Sequence, residues 1–106
     1  MLTFHFRIND SFLSYPNHPL TVPRSEVDYA AVELERINQG TLTVIFPYGE
    51  RREAHLYGGE AGFGDYYQIR FHGADRSLPS YLQLNADLIV ILIRFRESNY
   101  VIIELL

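Results

Sequence analysis

Apolar and polar residues alternate along several short stretches of the chain, and this pattern predicts a mainly β protein. Residues 2–8 show it first, with apolar side chains on one face of the predicted strand and polar ones on the other. Residues 87–96 instead begin as an unbroken apolar run, which is typical of a strand buried on both faces. The predicted extended segments are residues 2–8, 20–23, 41–47, 51–57, 66–72, 87–96 and 100–105.

The segments between these strands predict one long loop and two short helices. Residues 9–20 are rich in turn-forming residues, so we expect a loop there. Ser25 followed by Asp28 is typical of a helix N-terminus, and the apolar residues after it keep helical spacing until Gly40 ends the helix. Residues 78–82 predict a helix of one turn.

A weak internal repeat relates the two halves of the chain. Residues 37–44 align with residues 84–91, and each half has the order strand, proline-led helix, strand, turn, strand. Two such halves predict a small barrel with short helices at its ends. The length of 106 residues suits a single domain with one core.

The most informative stretch is a glycine-rich segment and the strand that follows it. We expect residues 58–66 to form a projecting loop around the aromatic Phe63. In strand 66–72 one face is apolar, and the other carries side chains that form hydrogen bonds in defined directions. Those side chains are Tyr66, Gln68, Arg70 and His72. The pattern predicts a contact surface, and the alternative is a mobile hairpin loop above an ordinary half-buried strand.

Composition restricts the classes of ligand. The net charge of −4 argues against nonspecific nucleic-acid binding, which usually needs a basic excess. All nine basic residues are arginine, which suits bidentate recognition, although a bias toward G·C-rich codons is the better explanation of this fact. The chain has no cysteine, and none of its four histidines shows a tight metal-ligand spacing, so we expect no cofactor and a cytoplasmic protein. No apolar run is long enough to predict a transmembrane helix.

Recognition of base edges fits this composition best. Arginine pairs with guanine, asparagine or glutamine with adenine, and a carboxylate accepts a hydrogen bond from cytosine. An acidic domain can therefore bind duplex DNA specifically if its acids lie beside its arginines. The residues expected to contact DNA are Asn9, Asp10, Ser11, Tyr15, Asn17, His18, Arg51, Arg52, Glu60, Phe63, Asp65, Tyr66, Gln68, Arg70 and Arg76.

Two other classes of function stay open at the level of sequence. The first is a small β-barrel enzyme or ligand-binding module that uses His5, His72 and Arg70 for acid–base chemistry. The second is a protein-interaction module with an exposed aromatic patch. That patch would consist of Phe12, Tyr15, Phe63 and Tyr66.

Residues 54–79, AHLYGGEAGFGDYYQIRFHGADRSLP, and the Leu-Asn-x-Asp-Leu-x-Val motif at residues 84–90 resemble the effector-binding N-terminal domain of EcoRII-type restriction endonucleases. That domain belongs to the B3-like DNA-binding pseudobarrels. The resemblance implies a seven-stranded open pseudobarrel whose two arms enter the major groove of DNA. Here the first arm is Asn9–His18 and the second arm is Gly58–Arg70, with Arg76 just beyond.

The resemblance also implies how the domain is used. Residues 1–106 would be one noncatalytic, cofactor-free domain, monomeric in isolation and covalently joined to a nuclease domain. Because the chain stops at the end of strand 100–105, we expect it to be the N-terminal domain of a longer bacterial or archaeal restriction endonuclease. Family members carry a basic cluster in the second arm, where this sequence has Glu60, Asp65, Tyr66 and Tyr67.

Overall fold

The computed structural model describes residues 2–37, 40–62, 64–72, 77–83, 90–96 and 99–106. The strands in this part are β1 (Thr3–Arg7), β2 (Leu20–Thr21), β3 (Thr41–Ile45), β4 (Arg51–Ala61), β5 (Gly64–Phe71), β6 (Val90–Arg96) and β7 (Tyr100–Leu105). The helices are α1 (Asp10–Ser14), α2 (Arg24–Tyr29), α3 (Ala31–Ile37) and a 3₁₀ turn (Ser80–Gln83). The expected mainly β fold with short helices is confirmed.

The strands form one sheet in the order β1-β6-β7-β3-β4-β5-β2. Among the described strands, β3 and β7 pair in parallel and the other five pairings are antiparallel. The sheet curls into a nearly closed barrel with an unsealed seam, where β1 and β2 are its two edges. This geometry confirms the expectation of a seven-stranded open pseudobarrel.

The core is a single cluster built from alternate strand positions. In β1 the apolar Phe4 and Phe6 are buried, while the polar Thr3, His5 and Arg7 are exposed, as the alternation predicts. In β5 the buried side chains are Tyr67, Ile69 and Phe71. Burial of each large apolar side chain contributes roughly 1.5–3 kcal/mol, so this alternation decides which face of each strand turns inward. In the described part of the chain no helix has the length and hydrophobicity that crossing a membrane requires.

The predicted loop at residues 9–20 contains a helix, so that prediction is wrong for α1. Asn9 is its N-cap, and the Oδ1 atom accepts a hydrogen bond from the backbone N–H of Phe12 at 2.9 Å. Phe12 is fully buried and packs edge-on against Phe6, with 5.6 Å between ring centroids. The polar residues that suggested a turn instead satisfy the end of a helix, and one buried ring holds that helix on the core.

The single helix expected after Ser25 is divided into α2 and α3. Pro23, not Ser25, occupies the N-cap of α2, and its carbonyl accepts hydrogen bonds from the backbone N–H groups of Glu26 and Val27. Ser25 lies inside the helix. The chain leaves helical geometry at Ala30, where φ is −111° and ψ is 21°. Proline suits this start because its φ is already close to the helical value and it needs no N–H partner.

The predicted glycine-rich loop is mostly strand. β4 continues through both glycines to Ala61, which pairs with Gly64 at the tip of the hairpin. Gly59 suits this strand because the ring of Tyr66 lies over it. A Cβ atom at Gly59 would be only 2.8 Å from that ring. The second arm is therefore a long β-hairpin.

The prediction that β6 is buried on both faces is wrong in the described residues. Ile91, Ile93 and Phe95 are buried, whereas Val90 and Leu92 are only half-buried. A barrel wall has one inner face, so even an apolar run alternates in burial. The predictions for residues 73–76 and 84–89, and for Phe63, lie outside the described residues.

Candidate functional site

The two arms line one groove of about 930 Å³ beside β5. Part of its lining comes from residues 19–23, which include β2, and from α2, and the rest comes from the arms. The first arm contributes Asn9, Ser11, Tyr15 and Asn17. The second arm contributes Glu60, Asp65, Tyr66, Gln68 and Arg70. Most of the residues expected to contact DNA are thus brought together at one place, although they lie far apart in sequence.

Backbone and ring contacts hold the first arm against the barrel. The carbonyl of Asn17 accepts a hydrogen bond from the N–H of Phe71 at 2.8 Å. His18 has a positive φ of 43°, and its Nδ1 atom lies 2.6 Å from the carbonyl oxygen of Phe12. Since a carbonyl can only accept, Nδ1 carries the proton and donates it. His18 therefore positions the arm and does not line the groove.

Aromatic rings stiffen the outer face of the second arm. The guanidinium carbon of Arg70 lies 3.7 Å from the ring centroid of Tyr57, which is a cation–π contact. The ring of Tyr57 lies 6.0 Å from that of Tyr66, which in turn covers Gly59. A continuous strip of ring surface therefore runs along the hairpin toward its tip.

Hydrogen bonds link this strip to the floor of the groove. The Nε atom of Arg70 donates to Oε1 of Gln68 at 3.0 Å. Gln68 donates from Nε2 to the hydroxyl of Thr21, also at 3.0 Å. Thr21 pairs with Gln68 in the register of β2 and β5, so the strand pairing itself positions the amide.

Arg24 belongs to the site, and sequence analysis missed it. It begins α2, lines the groove and donates from Nη1 to the backbone carbonyl of Asp65 at the hairpin tip. It also lies 3.9 Å from the carboxylate of Asp28, one helical turn along. No local pattern marks Arg24, because its partner in the hairpin is 41 residues away.

Among the described residues that line the groove, positive and negative charges are balanced. Two arginines, Arg24 and Arg70, line it together with two acids, Glu60 and Asp65. The acids are direct cross-strand neighbours at the hairpin tip. Like charges placed opposite each other destabilise a strand pair, so the stability of the hairpin does not explain this placement. The groove offers directed donors and acceptors without a net positive field.

Several predicted contact residues lie elsewhere. Asp10 is exposed on α1 but does not line the groove. Arg51 and Arg52 begin β4, at the end opposite its tip, which is roughly 30 Å from Glu60 along the strand. Arg52 is also bonded there, since its Nε donates to the carbonyl of Ser77 at 2.9 Å. Phe63 and Arg76 lie outside the described residues.

The histidine pair proposed for an enzyme is not assembled. His5 lies on β1 in a separate small pocket with Glu26 and Leu92, whereas His72 packs against His55 with 5.4 Å between ring centroids. Burial lowers the pKa of His55, and the nearby charges of His72 and Arg70 lower it further. Within the described ranges, no three histidine or acidic side chains are grouped so as to hold a metal ion.

The aromatic patch proposed for protein interaction is also not formed as expected. Phe12 has no exposed surface, so it cannot contact a partner. Tyr15 is 58% exposed and lines the groove, as does Tyr66. The two rings of this patch that have exposed surface therefore line the groove between the arms. The fourth member, Phe63, lies outside the described residues.

No protein-family model matches the chain, and no curated protein matches its sequence. The resemblance to the DNA-binding domain of EcoRII-type endonucleases thus depends on the motifs in the sequence, and DNA binding is a proposal.

Proposed function

We propose that this domain binds double-stranded DNA at a short specific site, with both arms entering the major groove. The observation that carries the proposal is the common groove. Two segments separated by some forty residues each contribute polar side chains to one concave surface, and these are of the kinds that recognise base edges. The resemblance to the EcoRII-type domain also supports DNA binding by these two arms.

The charge balance favours specific over nonspecific binding. Nonspecific affinity for DNA grows with the number of phosphates that a protein neutralises. A chain of net charge −4 should therefore have a low nonspecific affinity. Base-edge contacts do not need a net positive charge. Guanine accepts hydrogen bonds from arginine, and the amino group of cytosine donates to a carboxylate. Arg70, Glu60 and Asp65 all line the groove and supply both kinds of partner.

The wider role is proposed from the resemblance. The domain would act in the cytoplasm as the noncatalytic effector domain of a restriction endonuclease. A nuclease domain in a longer chain would perform the cleavage.

A selection from random duplexes tests the proposal. The purified chain is incubated with the duplex library, bound DNA is recovered over several rounds, and affinity for the enriched sequence is measured. We expect one short motif to be enriched. We also expect Arg70→Ala to weaken binding to that motif by about 5- to 150-fold, as loss of a bidentate base contact does.

Arg96→Ala is the matched control. Arg96 is exposed at the end of β6 and does not line the groove, so its removal causes the same change in charge at a different place. Its effect should be small and equal for all duplexes. Failure to enrich any motif would refute the proposal, whereas equal losses for Arg70→Ala and Arg96→Ala would refute only a base contact by Arg70.

A further inference from the structure

We propose that Arg70 recognises the major-groove edge of a guanine through its two terminal nitrogens, and that Gln68, Thr21 and Tyr57 act as positioning residues. This inference rests on the proposed function and specifies a base and a geometry. It also assigns Gln68 a role other than the adenine contact that its residue type suggests.

One edge of the Arg70 guanidinium is already hydrogen-bonded within the protein. A guanidinium can present two parallel N–H groups either from its side, through Nε and one terminal nitrogen, or from its end, through Nη1 and Nη2. In this structure the Nε of Arg70 donates to Gln68 at 3.0 Å. The side edge is therefore occupied, and only the end remains for a bidentate contact.

The amide of Gln68 is hydrogen-bonded at both its oxygen and its nitrogen. Its Oε1 accepts from Arg70, and its Nε2 donates to the hydroxyl of Thr21 at 3.0 Å. The orientation of the amide follows from chemistry, because a guanidinium can only donate and so must face the oxygen. A bidentate contact with adenine needs both the oxygen and the nitrogen of the amide. Here each already has one protein partner, so only one lone pair and one N–H remain, in an orientation that these partners fix.

The ring of Tyr57 fixes the plane of the Arg70 guanidinium. Its ring centroid lies 3.7 Å from the guanidinium carbon, and Arg70 itself is half-buried. Stacking removes rotation out of the plane, and the hydrogen bond to Gln68 removes rotation within it. The arginine is thereby preorganised, so little side-chain entropy is lost when a ligand binds.

The two terminal nitrogens of Arg70 determine which ligand it can bind. Nη1 and Nη2 of Arg70 donate to no group in the described part of the chain, and the residue lines the groove. Two parallel donors match two adjacent acceptors, which guanine presents as N7 and O6 in the major groove. Adenine presents a donor at one of these positions. A phosphate also presents two acceptors, so the experiment must separate base from backbone.

Base analogues make that separation. In the duplex enriched by selection, each guanine is replaced in turn by 7-deazaguanine, which lacks the N7 acceptor, or by hypoxanthine, which lacks only the minor-groove amino group. We expect 7-deazaguanine at one position to weaken binding by the wild-type chain about tenfold. Hypoxanthine at that position should have little effect. The Arg70→Ala chain should show no further loss with 7-deazaguanine.

Variants of the supporting residues test positioning. Gln68→Ala should reduce the discrimination between guanine and 7-deazaguanine at the same position, and Thr21→Val should reduce it more than Thr21→Ser, which keeps the hydroxyl. If Gln68 instead contacted adenine, 7-deazaadenine at some position would weaken the wild type but not Gln68→Ala. That result would overturn the assignment of Gln68.

Arg70→Lys guards against misfolding as an explanation. It keeps the positive charge but lacks the planar pair of terminal N–H groups and the Nε–H that bonds Gln68. It should therefore retain affinity for random duplexes and lose most of the guanine discrimination. If a motif is enriched but no guanine is sensitive to 7-deaza substitution, or Arg70→Lys discriminates as well as the wild type, the inference fails and the proposed function stands. If no motif is enriched, the proposed function itself fails.

Discussion

The tip of the second arm depends on a glycine, and Gly64→Ala tests that dependence. Gly64 has a φ of +113°, a backbone conformation that residues with a Cβ atom rarely adopt. A Cβ atom there would lie 2.7 Å from Nη2 of Arg24, which is closer than real contacts allow. The substitution therefore strains the backbone and displaces the side chain that joins α2 to the hairpin.

The expected cost has two parts. Holding a residue other than glycine in such a conformation costs about 1–3 kcal/mol. Displacing Arg24 removes its hydrogen bond to the carbonyl of Asp65, which is worth about 0.5–1.5 kcal/mol at most because the site is exposed. We expect the free energy of unfolding to fall by about 1.5–4.5 kcal/mol.

Urea denaturation measures this change, and the hairpin provides a matched control. Gly62 also lies at the tip, but a Cβ atom there would meet nothing within 4 Å and its φ is not positive. Gly62→Ala should therefore stay within about 0.5 kcal/mol of the wild type. In a chain that already carries Arg24→Ala, Gly64→Ala should cost only the backbone part, because the side chain that it would displace is absent. Equal unfolding midpoints for Gly62→Ala and Gly64→Ala would refute the reasoning.

Two further predictions concern stability. The hydroxyl of Tyr67 donates to the carboxylate of Glu35 at 2.7 Å, so Tyr67→Phe should lower the free energy of unfolding by about 1 kcal/mol, and an unchanged urea midpoint would contradict this. His55 has a pKa below its ordinary 6.5, owing to burial and then to the charges of His72 and Arg70. The unfolded chain therefore takes up a proton at this site more readily, so unfolding free energy should fall as the pH drops through 6.5 toward the folded-state pKa. His55→Gln should flatten that dependence, and identical pH profiles for the two chains would contradict the assignment.

The pair of acids at the hairpin tip is not explained by stability. Glu60 and Asp65 face each other across the strands although like charges repel. A hairpin selected for stability alone would place a positive charge at one of these positions. The proposed role as acceptors for base amino groups explains the pair, and it agrees with the overall negative charge of the chain.

The architecture was largely predictable from local patterns. Alternation in residues 2–8 and 66–72 correctly predicted which side chains turn inward, because burying one face of a strand requires a period of two. The nearly closed sheet agrees with the expectation drawn from the internal repeat and the resemblance. Local patterns failed where a polar residue had two possible uses, as at Asn9, whose side chain caps a helix instead of forming a loop.

The composition of the site was predictable only in part. Sequence analysis identified Arg70 and Gln68 as polar residues on the outer face of a strand, because the alternation of β5 fixes that face. It could not show that Gln68 is bonded on both sides, since the hydroxyl of Thr21 is 47 residues away. Nor could it find Arg24, whose carbonyl partner at the hairpin tip is equally remote in sequence.

The sequence by itself determined where most of the strands lie, the inward faces of those whose residues alternate, and the kinds of side chain that the two arms carry, because these depend on spacings of a few residues. Only the tertiary structure decided that the arms meet in one groove, that His5 and His72 lie apart, and that Arg51 and Arg52 are at the far end of β4. Such juxtapositions depend on how the sheet closes. Closure is set by packing over the whole core, which no short pattern encodes.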